Sequence, residues 1–214
     1  MAPGSVSASR RWWRSRPVAV AALAGAALTL VQYAAMREFA ALLGSSELVT
    51  LLVVTGFFLG LSFGYLVSDR LSRRALMGLA AAVIGLHVSL PFSARMLAGW
   101  CWQVNLGGAI PPLFLAIVMF GLTPFYAVLL PRLIAESAAS AGSAGPLVRI
   151  YAVEIAGGLL GLVAIVVITP ARMQFLLALH LLLLVVLVLV LFEVRRREAW
   201  LLAALPAPYL VLWA

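Results

Sequence analysis

Apolar runs of membrane-crossing length follow one another along the whole chain, broken by short charged or Gly/Pro-rich stretches. With about 20 apolar residues needed per crossing, the pattern predicts spans at 17–43, 47–68, 75–97, 109–134, 147–169 and 171–192. A last stretch, 199–214, contains Pro206 and Pro208. At 1.5 Å per residue it covers roughly 24 Å, marginal against a hydrocarbon core about 30 Å thick. The expected fold is all-α: a polytopic transmembrane helix bundle of six to seven spans over 17–214, preceded by a basic segment at 1–16.

Composition narrows the class. Of 214 residues, 65% are hydrophobic and 10% charged, and the mean hydropathy is +1.14. Soluble domains are nearer half apolar and one quarter charged, so a soluble globular protein is excluded, and no room remains for a soluble catalytic domain. The net charge of +8 raises the question of nucleic acid. All fifteen basic residues are arginine, however, and their placement gives a different meaning. Arg10, Arg11, Arg14 and Arg16 precede span one; Arg70, Arg73 and Arg74 follow span two. Arg132 and Arg149 flank the loop between spans four and five, and Arg195, Arg196 and Arg197 follow span six. If every span crosses, these twelve share one side, and Arg95 and Arg172 take the other, with Arg37 at or near the outer end of span one. Positive charge stays cytoplasmic, so a multi-pass protein of the inner (cytoplasmic) membrane with its N-terminus inside is expected. The lipid bilayer is then the chief partner, and no nucleic-acid partner is needed. Trp12, Trp13, Trp100, Trp102, Trp200 and Trp213 all fall at span ends, where amphipathic rings favour the headgroup level. The arginine pair before span one reads as its cytoplasmic anchor rather than as an export signal, because further spans follow.

Small residues indicate how the helices pack. Gly56, Gly60 and Gly64 line one face of span two; Gly157, Gly158 and Gly161 recur in span five, and Gly78, Ala82 and Gly85 in span three. Such spacing lets backbones approach closely in lipid and predicts a tight bundle with spans two and five near its centre. Span six, unbroken Leu and Val from Leu181 to Leu191, reads as lipid-facing. Acids near the start of spans two and five, and histidines in spans three and six, hint at two three-helix halves, although the spacings match poorly. Cys101, the single cysteine, is expected in an outer loop and permits no internal disulfide or paired-cysteine metal site. His87 and His180 have no second ligand at helical spacing and read as packed or pore-facing polar groups. No metal and no cofactor is expected.

Ionisable groups within spans are costly and tend to face a bundle interior or cavity. Arg37 and Glu38 lie near the outer end of span one, and Glu47 opens span two after a short turn. Two readings stand: an Arg37–carboxylate pair locking the first hairpin, or Glu38 and Glu47 as an acidic vestibule for a cation. Tyr151 and Glu154, three residues apart, share a face of span five. They form the best candidate for an intramembrane ligand or proton site, with a helix-packing hydrogen bond as the alternative. The cluster Asp69-Arg70 with Arg73-Arg74 is expected to cap helix ends and meet phosphate headgroups. Pro124 in span four predicts a kink, either a cavity wall or a simple bend.

These residues carry a resemblance. Arg37-Glu38-Phe39 followed by Gly44-Ser45-Ser46-Glu47-Leu48 resembles the first hairpin of membrane-bound spermidine synthase-like proteins, with Ser46 where Asn is usual. The glycines of span two with Asp69-Arg70, and Tyr151-x-x-Glu154-x-x-Gly157-x-x-x-Gly161, are similar to the same family, in which Asp is commoner at position 154. The likeness covers nearly all of 30–195. It implies a membrane module that binds or passes a small cationic, polyamine-like metabolite, with Arg37, Glu38, Glu47, Tyr151 and Glu154 as candidate ligand residues. In that family a soluble enzyme domain follows the spans. The sequence reaches Ala214 without one, so aminopropyl-transfer activity is not carried over, and a separately encoded soluble partner is conceivable. A second resemblance is to the loop motif of major facilitator transporters in Gly64-x-x-x-x-Asp69-Arg70-x-x-Arg73-Arg74, whose Gly-to-Asp spacing is one residue too long. It implies a half-size transporter working as a dimer. An accessory subunit of a larger membrane complex is the third possibility.

Overall fold

A computed structural model describes residues 16–44, 46–103, 110–141, 145–168 and 173–193. Among the described residues there are seven α-helices and no strand. They are α1 (Arg16–Leu43), α2 (Ser46–Val67), α3 (Arg73–Gln103), α4 (Ile110–Leu122), α5 (Pro124–Ala141), α6 (Gly145–Ile168) and α7 (Met173–Phe192). In hydrocarbon every backbone N–H and C=O must be bonded within the protein, which such apolar segments achieve as helices. Five stretches are long and apolar enough to cross a membrane: Arg16–Ala41, Glu47–Val67, Ile110–Ala138, Leu147–Ile168 and Phe175–Phe192. The 31-residue α3 is long enough but is diluted by Arg73, Arg74, His87, Ser89 and Arg95, and is not one of the five. It runs through Trp100, Cys101 and Trp102, so the expected outer loop at the cysteine is helix instead. The stretch 199–214 and the arginines at 10, 11, 14, 172 and 195–197 lie outside the described residues.

Helix ends follow local chemistry. Gly44, at φ 66°, closes α1 in the left-handed conformation that glycine adopts without a Cβ penalty, and its N–H bonds the Ala40 carbonyl at 3.0 Å. Span four breaks at Thr123-Pro124 as the proline predicts. The Thr123 hydroxyl donates to the Met119 carbonyl at 3.0 Å, and the Ala127 N–H returns to the Thr123 carbonyl at 3.2 Å, so α4 and α5 continue one after the other.

Packing reverses two expectations. The centre is built from α1 and from α4–α5, whose apolar windows are 61% and 67% buried, whereas α2 and α6 are only 33% and 28% buried. Leu51, Phe58 and Leu66 on α2, and Leu160, Val163 and Val166 on α6, face outward. The helix of unbroken Leu and Val, α7, is not a lipid-facing pole: Leu181, Leu184, Val185 and Leu187 are buried. Its uniform apolarity hides direction, because either side of such a helix suits protein or lipid. The glycines still mark the close crossings, one helix further out than expected. A Cβ on Gly25 of α1 would strike the Glu154 carbonyl of α6, and one on Gly157 would strike the Ala22 carbonyl. On the other side a Cβ on Gly56 would lie 2.9 Å from the Ala116 carbonyl, and one on Gly64 2.7 Å from the Pro124 carbonyl. Gly78 and Gly85 of α3 meet nothing within 4 Å, so that small-residue face seals no crossing.

These crossings expose a repeat. α1 packs most extensively on α6, and α2 on α4 and α5; α1 also contacts α2 and α7, α5 contacts α6, and α3 contacts α4, α5 and α7. Exchanging α1 with α4–α5, α2 with α6, and α3 with α7 maps these contacts onto one another, whereas the α6–α7 and α1–α3 contacts have no comparable counterpart. Two three-helix units thus share part of a packing plan, although their residue spacings differ.

Candidate functional site

The five candidate ligand residues separate into two groups at opposite ends of the bundle. Arg37, Glu38 and Glu47 sit where α1 ends and α2 begins. Arg37 is exposed and its guanidinium reaches the Tyr33 hydroxyl at 3.4 Å; among the described residues no ion pair links it to Glu38 or Glu47. Glu47 is exposed above a shallow, open depression with Thr50, Leu51 and Val54. Counting up α1 from Arg16, Glu38 stands roughly 33 Å along the axis, so the hairpin acids belong to the far interface rather than to the interior.

Tyr151 and Glu154 lie near the other end of α6 and gain a third member that sequence spacing did not indicate. Tyr65, on α2, lies within electrostatic reach of both Glu154 and Tyr151. The two phenols are 44% and 54% exposed and Glu154 is half-buried, so the cluster opens on the outer face of α2 and α6. Glu154 is held at this level by its own backbone, whose carbonyl is pressed against Gly25 of α1. It lies seven residues beyond Leu147, roughly 10 Å into the apolar stretch. Among the described residues no hydrogen bond or ion pair reaches its carboxylate. A carboxylate beside two phenol rings at such depth is suited to a cation: charge attracts it, and ring faces favour an ammonium group.

The same end of the bundle carries the arginines. Arg16 bonds the Leu191 carbonyl at 2.8 Å and pairs with Glu193 at 3.1 Å and Glu136 at 3.7 Å. It thereby fixes Glu193, which closes α7 at the unusual φ of 52°. Arg73 donates to the Phe192 carbonyl at 3.1 Å, and Arg132 bridges the carbonyls of Ser68, at 2.9 Å, and Leu71. The helix-capping role expected for the Asp69–Arg74 cluster is carried here by Arg73 and by Ser72, whose hydroxyl accepts the Ala75 N–H at 3.2 Å. Arg16, Arg73, Arg132, Glu136 and Glu193, with Leu76, Leu129 and Leu133, line a cavity of about 330 Å³.

The two histidines, separate in sequence, are in ring contact. His87 of α3 and His180 of α7 have centroids 4.4 Å apart and planes inclined by 30°, and both are buried. No sequence spacing signals a meeting of helices so far apart in the chain. Among the described residues no group of three or more His, Cys, Asp or Glu side chains is placed to hold a metal. No protein-family model, curated protein or solved structure matches this chain.

Proposed function

We propose that the chain is a six-span module of the inner membrane, with its arginine-rich end cytoplasmic, that binds a small organic cation at Tyr65, Tyr151 and Glu154. In this reading α3 crosses with the five apolar stretches, and α4 and α5 together make one span. The carrying observation is the Glu154 carboxylate, set inside an apolar stretch beside two phenols and lacking a cation among the described residues. An intramembrane acid of this kind needs a partner, and a polyamine-like ammonium supplies it. The likeness to spermidine synthase-like membrane modules favours the same ligand class, as does the partly shared three-plus-three packing plan, an arrangement nested within the halves of larger transporters. A paired assembly is favoured by the face on which the cluster lies, since α2 also exposes Thr55 and Ser62 there.

Uptake of labelled spermidine into proteoliposomes tests the transport form. Wild type is expected to exceed empty liposomes, and Glu154→Gln to fall to their level. Equal signals in all three would end the transport reading. Pull-down in mild detergent separates the assemblies: a homodimer supports the half-transporter, and a stoichiometric larger partner the accessory subunit.

A further inference from the structure

The cavity at the arginine-rich end has no part in the cation reading. Its wall carries three guanidinium groups, Arg16, Arg73 and Arg132, and two carboxylates, Glu136 and Glu193. Both carboxylates are drawn to the same arginine: Arg16 lies 3.1 Å from Glu193 and 3.7 Å from Glu136. Among the described residues no carboxylate pairs with Arg73 or Arg132. Asp69 does not serve, since it is exposed, accepts the Ser68 hydroxyl at 3.4 Å and stands outside the lining. Two positive charges therefore share one cavity with no anion assigned to them.

Main-chain carbonyls hold these two arginines in place without exhausting their donors. A guanidinium has five N–H groups. Arg73 of α3 gives one, from Nη2, to the Phe192 carbonyl at the end of α7. Arg132 of α5 donates from Nε and Nη2 to the Ser68 carbonyl, at 3.1 and 2.9 Å, and from Nη2 to the Leu71 carbonyl. Among the described residues the Nη1 group of each keeps both hydrogens unused. The anchor points adjoin, because Leu71 is two residues from Arg73 in the chain. Helix α3 starts at Arg73, and its dipole adds partial positive charge at that end. Capping explains the carbonyl bonds but leaves the charges uncompensated. Phosphate compensates them, since its oxygens accept the paired N–H groups that arginine presents.

We propose that this cavity holds a phosphate group between Arg73 and Arg132. Its oxygens accept from the unused Nη1 groups, while Arg16 offsets the repulsion of Glu136 and Glu193. About 330 Å³ is at the small end of ligand pockets and suits a phosphate with part of its ester. A lipid headgroup and a free phosphate offer the arginines the same chemistry.

The site is independent of the cation reading at Glu154. The purified full chain, in a sugar detergent free of phosphate, is unfolded thermally with each of three probes. These are inorganic phosphate, dioctanoyl phosphatidylglycerol, and dioctanoylglycerol, which has the acyl chains without the phosphate. A ligand of the folded state raises Tm saturably. At least one phosphate probe is expected to do so, and dioctanoylglycerol is not. A response to inorganic phosphate assigns a free ligand; a response to the phospholipid alone assigns a headgroup. Arg73→Gln, which gives up a single carbonyl bond, should shift the concentration dependence at least about tenfold. Arg132→Gln should do the same, and Arg74→Gln, an exposed neighbour outside the lining, should respond like the wild type. No response to either phosphate probe would overturn the proposal. So would an equal response to dioctanoylglycerol, an undiminished response in Arg73→Gln, or an equal loss in Arg74→Gln, the mark of diffuse surface charge.

Discussion

Adding one methyl group to Gly25 should do more harm than any other glycine-to-alanine change in α1 or α3. The new Cβ would overlap the Glu154 carbonyl and approach its carbon at 2.9 Å and the Gly158 nitrogen at 3.0 Å. All three are backbone atoms, so no rotamer change relieves the clash and α1 and α6 must move apart. Overpacking of side chains typically destabilises by about 1–3 kcal/mol; here the backbone itself is displaced, and about 3 kcal/mol is expected. A series sharpens the test. At Gly158 the nearest atom is the Thr29 hydroxyl at 3.1 Å, a rotatable group, so Gly158→Ala should be destabilising by about 1 kcal/mol. At Gly85 nothing lies within 4 Å, and alanine should be neutral or stabilising by up to about 1 kcal/mol through helix propensity. Thermal unfolding in mild detergent reads the order, with roughly 2–4 °C of Tm per kcal/mol for a chain of this size. Gly25→Ala and Gly85→Ala unfolding at the same temperature would refute the α1–α6 crossing. Because Gly25 touches the residue that bears the candidate carboxylate, Gly25→Ala should also weaken cation binding, whereas Gly85→Ala should not.

Further outcomes follow from burial and hydrogen bonding. Leu184→Ala, at a fully buried position on α7, should be destabilising by about 2–5 kcal/mol. Leu160→Ala on α6, 68% exposed, should leave Tm nearly unchanged; equal effects would contradict the assignment of inner and outer helices. Thr123→Val removes the hydroxyl that serves the Met119 carbonyl in a fully buried site, and should lower stability by about 1–3 kcal/mol in the same unfolding assay. Arg132→Ala unties the Ser68 and Leu71 carbonyls and should be destabilising by about 2 kcal/mol, while Arg16→Gln, whose ion pairs are partly exposed, should change stability by less than about 1 kcal/mol.

Much of the helical pattern was legible in the chain itself, because lipid leaves an apolar segment few alternatives to a helix. The boundaries of α1, α2 and α6 follow apolar runs, and the α4–α5 break follows Pro124. Direction was less legible. Leu181 to Leu191 carries no polar stripe, so nothing in its pattern distinguished core from lipid. Glycine spacing located the crossings of α2 and α6 without revealing that these helices cross the centre from outside. At the candidate site, Tyr151 and Glu154 were linked by their spacing on one helix. Tyr65 and the His87–His180 contact were not, since each depends on tertiary packing between helices far apart in sequence. The small-residue pattern Gly78, Ala82 and Gly85 shows the converse, a packing signal with no helix against it.

Equilibrium binding of labelled spermidine to the purified chain in nanodiscs, with Glu154→Gln and Glu47→Gln alongside, bears most directly on the central claim. Saturable binding by the wild type is expected. Loss of the Glu154 charge should weaken it by at least about tenfold, the scale of one charge-assisted contact in a poorly solvated site. Glu47→Gln, at the far interface, should bind like the wild type. Undiminished binding by Glu154→Gln, or no saturable binding by the wild type, would contradict the account.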